Sequence, residues 1–231
     1  MYYMNNVLAV IPAYNEEECL EQTVEELKRI APQIDFVVVN DGSTDGTAAI
    51  CKRKGYPTIT MPVNGGLTLG FRTGMKYALA KDYDAVVQFD ADGQHLPQSI
   101  EAMVDAMRRA NADIVIGSRF VDTPKDLSAR MIGSRLISLI IKVTTGRQIM
   151  DPTSGLRLYN RSMIRCFALD KRLNPEPESI AYLIRKGAVV REVQVEMRER
   201  QAGESYLSFS KSIAYMARAC TSILFAQWFR K

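Results

Sequence analysis

Apolar residues in this chain fall in short unbroken runs, separated by longer stretches with helical spacing. Val7 to Ile11 is one such run and stops at Pro12. Phe36-Val37-Val38-Val39 stops at Asn40, Ala85 to Phe89, interrupted by Gln88 alone, stops at Asp90, and Ile114-Val115-Ile116 stops at Gly117-Ser118-Arg119. Runs of this length without polar alternation suit strands buried on both faces. Thr58 to Met61 predicts a weaker strand. Between the strands, Asn15 is suited to cap a helix whose first turn carries Glu16, Glu17 and Glu18, where the macrodipole favours negative charge, and which ends near Ile30 before Pro32. Thr44 or Asp45 opens a second helix running to about Lys54, Leu67 to Ala80 a third, and Pro97 to Arg109 a fourth with proline in its first turn. After Phe120 the pattern loosens. It offers an apolar helical stretch (Leu136 to Val143), a polar turn (Asp151 to Gly155), a strand (Ala188 to Met197) and a final helix from about Ser208.

Strands alternating with helices predict an α/β fold: a Rossmann-like, mostly parallel sheet with helices on both faces, plus C-terminal amphipathic helices. The expected division is a main domain over residues 1–205 and a C-terminal amphipathic interface helix over 206–231. In such sheets ligands sit just beyond the carboxyl ends of the strands, and polar residues cluster there.

Composition narrows the function classes. With 231 residues, 47% hydrophobic and 24% charged, the chain can bury an ordinary core. A net charge of +4 permits anionic ligands or lipid headgroups, and no nucleic-acid-binding signature accompanies it. Cys19, Cys51, Cys166 and Cys220 are scattered and read as reduced, packed thiols of an intracellular protein. His95 is the lone histidine, so a histidine-rich metal site is excluded. The first residues lack a basic, then apolar, leader pattern, and the expected location is cytoplasmic.

The chemistry lies in the turns. Asp90-Ala91-Asp92 ends a buried strand in two carboxylates that repel unless a cation sits between them. Hard oxygen ligands select Mg²⁺ or Mn²⁺, and Mg²⁺ commonly shares its shell with substrate phosphates. Gln94 and His95 are near enough to join. The bland alternative, a solvated acidic turn, loses ground because the pair sits at a strand tip. Asp41 in Asn40-Asp41-Gly42-Ser43-Thr44-Asp45 is suited to a base or ribose, while Thr44 or Asp45 serves as a cap. Tyr14 in Pro12-Ala13-Tyr14-Asn15-Glu16 is placed to stack on a base. Gly65-Gly66 is either a close backbone approach to ligand or a plain flexible turn.

Taken together, VIPAYNEE, VVNDGSTDGT, the Gly65-to-Gly74 region, FDADGQH and GSRF resemble family 2 glycosyltransferases of the GT-A fold over roughly the first 120 residues. The resemblance implies that Pro12, Ala13, Tyr14, Glu16 and Asp41, with Asp90, bind the nucleotide of a nucleotide-diphosphate sugar. It further implies that Asp90, Asp92 and Gln94 hold the metal, and that the anomeric centre is inverted. Arg130 to Ser138, Gly146-Arg147 and Asp151-Pro-Thr-Ser-Gly-Leu-Arg157 resemble the polyprenyl-phosphate (dolichol-phosphate) hexose synthases. Arg200 to Ser205 resembles the loop those enzymes close over the diphosphate, although Tyr206 stands where the family often has a basic residue.

Arg119, Arg130, Arg135, Arg147, Arg157 and Arg200, with Ser134 and Ser205, suit an anionic acceptor, because guanidinium forks match phosphate oxygens. A phosphate nucleophile is already ionised and needs positioning. A sugar hydroxyl would need a base, for which Asp151, Glu176 and Glu178 are candidates. At least two of the six arginines are expected to be plain ion pairs. Asp92, Asp151 and Arg119 are the expected catalytic residues. Leu136 to Val143 and Ile213 to Phe229 are too short or too interrupted to span a bilayer, and suit an interfacial, core-packed or dimer-seam helix. The expectation is a peripheral enzyme at the inner membrane face, with a separate integral-membrane partner or a homo-oligomer open. Alternatives are transfer to a polysaccharide hydroxyl, a non-catalytic nucleotide-sugar module, or a nucleotidyltransferase. The last would place a glycine-rich basic loop where Pro-Ala-Tyr-Asn-Glu stands.

Overall fold

The computed structural model describes residues 6–123, 129–198 and 216–224, with backbone only at 129 and 130. Its elements are β1 (Val7–Ala13), α1 (Leu20–Ile30), β2 (Asp35–Asn40), α2 (Thr47–Lys54), β3 (Thr58–Thr60), α3 (Leu67–Ala80), β4 (Ala85–Gln88), α4 (Ser99–Ala110), β5 (Ile114–Ser118), α5 (Ala129–Thr145), β6 (Arg157–Asn160), α6 (Arg161–Leu169), α7 (Pro177–Arg185) and β7 (Val190–Gln194). Residues 216–224 are helical as well. The strands form one sheet in the order β3-β2-β1-β4-β6-β5-β7. Neighbours run parallel except β6, which is antiparallel to both β4 and β5. The expected α/β architecture is therefore present, with β6, α6 and α7 as additions that the sequence pattern did not announce.

The unbroken apolar runs are explained by burial on both faces. Val7, Ala9 and Ile11 of β1 face a core completed by Leu20, Val24 and Leu27 of α1, Ile50 of α2, and Ile100, Met103 and Met107 of α4. Leu8 and Val10 face the opposite core, built with Phe71 and Met75 of α3, Ile137 and Ile141 of α5, Phe167 of α6 and Ile180 of α7. Burying a side chain such as Phe71 stabilises the fold by roughly 1.5–3 kcal/mol. Gly74 leaves no room for a Cβ against Val10, so α3 lies directly on β1.

Ala219, Cys220 and Ile223 join the second core, and Met216 fills the space a side chain at Gly133 of α5 would need. This part of the expected C-terminal helix is thus core-packed, with Leu224 exposed. Positions 206–215 and 225–231, including the expected helix start at Ser208, lie outside the described residues.

One capping expectation is corrected. Asn15 does not cap α1, which begins only at Leu20 without a side-chain cap. Asn15 instead adopts φ +55°, accepts the Thr44 N–H through Oδ1 at 2.9 Å, and donates its own N–H to Ser43 Oγ at 3.0 Å. Its short polar side chain tolerates that conformation and ties the β1–α1 loop to the β2–α2 loop.

Candidate active site

The chain builds β2 and β3 on one side of β1, then crosses to place β4 on the other side. That reversal opens a crevice at the carboxyl ends of β1 and β4, the position where such sheets bind ligands. Pro12-Ala13-Tyr14 lines it from β1, with Tyr14 44% exposed and Ala13 buried. The loops behind it are cross-braced. Glu17 Oε2 accepts the Gly46 N–H at 2.6 Å, Asp45 Oδ2 accepts the Glu17 N–H at 3.1 Å, and the Glu16 N–H donates to Thr47 Oγ1 at 2.9 Å.

Asp41, at the tip of β2, is buried and accepts the N–H groups of Gly65 and Gly66, each at 2.8 Å. The glycine pair is therefore held by Asp41 at the entrance to α3. Each carboxylate oxygen keeps acceptor capacity for a ligand. Asp41 is followed by Gly42 with φ +67°, where a Cβ would meet the Val63 carbonyl carbon at 2.6 Å.

The acidic pair follows β4. Asp92 is buried, while the Asp90 side chain is one-third exposed. The Asp90 N–H donates to His95 Nδ1 at 3.0 Å, and His95 Nε2 lies 3.7 Å from Asp90 Oδ2. With Nδ1 accepting, neutral His95 carries its proton on Nε2, toward the Asp90 carboxylate. His95 is buried edge-on to Phe89, with ring centroids 5.6 Å apart. It braces Asp90 from behind rather than standing in a coordination shell. Asp92 Oδ1 accepts the Gln94 N–H at 3.1 Å. Gln94 and His95 in turn pair with Arg198 and Met197: the Arg198 N–H donates to the Gln94 carbonyl at 3.0 Å. Arg198 also forks onto Glu26 of α1 at 2.7 and 2.8 Å, and this hydrogen bonding holds the Glu26 carboxyl below the usual range.

Among the described residues no group of three or more His, Cys, Asp and Glu side chains converges as a complete protein metal cage. Two hard carboxylates, one open to the crevice, match the donor set of Mg²⁺ or Mn²⁺ when phosphates and water complete the shell. Asp90 Oδ2 also faces the backbone of Gly155, where a Cβ would stand only 2.8 Å away.

The basic side starts at the tip of β5. Arg119 Nε and Nη2 donate to Asp151 at 2.7 and 2.9 Å, and the Arg119 N–H reaches Asp151 Oδ2 at 3.2 Å. Asp151 is 0% exposed, so this candidate base for a hydroxyl acceptor is engaged in holding a cation. Its own N–H donates to Glu192 Oε1 at 2.8 Å, and the Met150 N–H donates to Glu192 Oε2 at 2.6 Å. Burial pushes the Glu192 carboxyl up, while those two amides and the Ser118 hydroxyl pull it back. Arg157, expected to face a phosphate, is 2% exposed and donates to the Pro152 carbonyl at 2.8 Å, bracing the 151–155 turn from inside the sheet. Ser134 is buried in α5, whereas Arg135 and Arg147 are exposed. Glu178 accepts from Asn174 Nδ2 at 3.0 Å, and Glu176 stands at the N-cap of α7. The Arg130 side chain, Arg200 and Ser205 lie outside the described residues. Sequence reasoning missed Glu192, whose partners are set by the β5–β7 pairing and not by a local motif, and the bracing role of His95, whose partner Asp90 lies five residues away.

The chain is similar to known proteins in sequence and in fold. Residues 8–167 match the family described as glycosyl transferase family 2. The chain is 33% identical over 214 residues to undecaprenyl-phosphate mannosyltransferase of Micrococcus luteus, covering 87% of each chain. It is 30% identical over 224 residues to polyprenol monophosphomannose synthase of Mycolicibacterium smegmatis, covering 88% of this chain and 81% of that one. Among solved structures, a mannosyltransferase from Pyrobaculum calidifontis in complex with GDP-mannose and Mn²⁺ shares the fold with a TM-score of 0.69 at 16% identity, covering 99% of this chain and 65% of that one.

Proposed function

The chain belongs to glycosyl transferase family 2, and from that premise we propose that it transfers a hexose from a nucleotide-diphosphate sugar to a polyprenyl phosphate, with inversion at the anomeric carbon. The observation that carries this reading is Asp151. A hydroxyl acceptor requires a carboxylate base, and of the three candidates Asp151 is buried and held by the Arg119 fork, Glu178 accepts from Asn174, and Glu176 stands at the N-cap of α7. A phosphate acceptor needs no base and is met by the guanidinium. The curated relatives at 30% identity or above that act on undecaprenyl or polyprenol phosphate support the same choice of acceptor.

In this reading Tyr14, with Pro12, Ala13 and Glu16, receives the base. Asp41 and the Gly65-Gly66 backbone that it orders meet the ribose side. Asp90 and Asp92, with Gln94 beside them, hold Mg²⁺ or Mn²⁺, and the Mn²⁺ bound in the structural neighbour supports that donor set. When bound, the metal offsets the charge that develops on the departing diphosphate. Arg119 orients the acceptor phosphate so that its oxygen approaches the anomeric carbon opposite the leaving diphosphate. Ser134, Arg135, Arg130, Arg200 and Ser205 complete the anionic subsites in this reading, while Arg157 supports them from inside the sheet by bracing the 151–155 turn.

The enzyme meets its lipid at the membrane surface through α5. Ile132, Leu136, Leu139 and Val143 recur at one face of the helix and are 48% to 76% exposed. Arg135 and Lys142 flank this stripe, Arg147 follows it, and no Asp or Glu occurs between positions 129 and 147. An apolar stripe bordered by cations suits an anionic lipid interface. Among the described residues no helix is long and apolar enough to cross a membrane.

Two measurements test the reading. Labelled GDP-mannose and UDP-glucose are each incubated with Mn²⁺ and undecaprenyl phosphate in detergent. Label passing into the organic phase, lost on chelation and lost in Asp92→Asn at unchanged Tm, is the expected result; label passing only into water-soluble glycan would overturn it. Flotation with anionic liposomes is expected to capture the wild type and to lose Leu136→Asp/Leu139→Asp; equal flotation of both rejects α5 as the contact.

A further inference from the structure

Glu192 has no part in any motif above, yet its surroundings are built around it. β7 pairs in parallel with β5, placing Glu192 beside Ile116 and Gln194 beside Ser118, three residues and one residue before Arg119. Glu192 and Gln194 share one side of β7, since side chains alternate along a strand. Gln194 Nε2 donates to the Arg119 carbonyl at 3.1 Å, and Gln194 Oε1 accepts the Asp122 N–H at 2.9 Å. Glu192 takes the other half of the site: both of its oxygens accept consecutive backbone amides, Met150 at 2.6 Å and Asp151 at 2.8 Å.

Glu192 therefore holds the backbone of the residue whose carboxylate holds the Arg119 guanidinium. Burying adjacent carboxylates is unfavourable unless donors satisfy each of them. Asp151 is satisfied by Arg119, and Glu192 by backbone N–H groups and the Ser118 hydroxyl. The connections are short and geometrically determined: β7 fixes Glu192, Glu192 fixes the 150–151 backbone, and Asp151 fixes the plane of the Arg119 fork. A neutral amide at 192 would offer one acceptor oxygen, and its NH₂ would face an N–H donor.

We infer that Glu192 is a positioning residue for the transfer, setting the Arg119 guanidinium through the Met150–Asp151 backbone and the Asp151 carboxylate. The inference rests on the reading of Arg119 as the group that meets the acceptor phosphate. A loosened 150–151 backbone lets the fork turn, which weakens phosphate binding and leaves the nucleotide side, built on β1, β2 and β4, untouched.

The test is a double-mutant cycle with GDP-mannose and undecaprenyl phosphate as probes, using Glu192→Gln, Arg119→Lys and the pair. Glu192→Gln is expected to raise the KM for undecaprenyl phosphate roughly tenfold, the scale of a mispositioned supporting contact, while the KM for GDP-mannose stays within twofold. In the Arg119→Lys background the same change is expected to add less than twofold, because coupled residues are not additive. Glu192→Asp keeps the charge but falls one methylene short of spanning both amides, so an intermediate rise is expected; this variant carries the test if the amide fails to fold. An unchanged acceptor KM in a folded Glu192→Gln protein, an equal rise in both KM values, or additive effects overturn the inference. If Arg119→Lys leaves the acceptor KM unchanged, the underlying reading of Arg119 fails instead, and the two failures are thereby separated.

Discussion

Replacing Gly155 by alanine should separate metal binding from stability. Gly155 is not among the positive-φ residues, so alanine fits its backbone without strain. The added Cβ would lie 2.8 Å from Asp90 Oδ2, and the carboxylate must retreat by about 0.6 Å to reach ordinary contact at 3.4 Å. Because the displaced atom ends a partly exposed side chain, the fold absorbs the shift cheaply, and the lower unfolded-state entropy of alanine contributes about 0.4–1 kcal/mol in the opposite direction. Unfolding free energy in urea should therefore change by less than about 1 kcal/mol. A metal site tolerates ligand displacements of only about 0.2 Å, so the same shift is large for the cation. Disturbed ligand support commonly weakens metal affinity by about 10–100-fold. The assay is the initial rate of transfer against Mn²⁺ concentration at saturating donor and acceptor. The half-saturating Mn²⁺ concentration should rise by about that factor, with the maximal rate partly recovered at high metal. A folded Gly155→Ala protein with wild-type Mn²⁺ dependence would refute Asp90 as a ligand whose position the 151–155 turn controls.

Two further outcomes follow from paired charges. Arg119→Ala leaves the fully buried Asp151 without its fork and should cost about 3 kcal/mol in urea unfolding, whereas Arg119→Lys should cost about 1 kcal/mol; equal losses would mean that charge alone, not the fork, holds Asp151. The Glu26 carboxyl is held low by Arg198, so this pair adds stability above the ordinary carboxylate range, and that stability is lost as pH falls through the lowered value. Arg198→Ala should therefore melt lower than wild type at pH 7, with the gap, about 1 kcal/mol for a partly exposed pair, closing toward pH 3; a constant gap across that range would contradict the assignment.

Much of the frame was legible because both faces of the central strands are buried. That makes Val7 to Ile11 uniformly apolar and Ala85 to Phe89 apolar but for the buried Gln88, and marks where they stop. α3 begins and ends where its spacing predicts, at Leu67 and Ala80. β6 was hidden: Arg-Leu-Tyr-Asn is four residues with a polar residue at each end, and only its place between β4 and β5 makes it a strand. Asn15 reads as a helix cap because local patterns cannot show a partner at Thr44. The polar strand tips declared Asp41, Asp90, Asp92 and Arg119. Glu192 stayed silent because its partners lie 41 and 42 positions away and are chosen by the β5–β7 register.

The reversed direction of β6 has a consequence for how the working edge of the sheet is stocked. Parallel strands deliver to that edge only the segments that follow them. A strand running the other way delivers the segment that precedes it, and so Asp151 to Gly155 arrives beside Asp90 and Arg119 although it is read before its strand, not after. Run parallel, the same four residues would leave that turn about 13 Å away, at the opposite rim. The two ends of β6 are therefore unequal territory for sequence change: length added between 146 and 156 is delivered straight into the crevice, while length added at Asn160–Arg161 emerges on the far rim, where the chemistry does not register it.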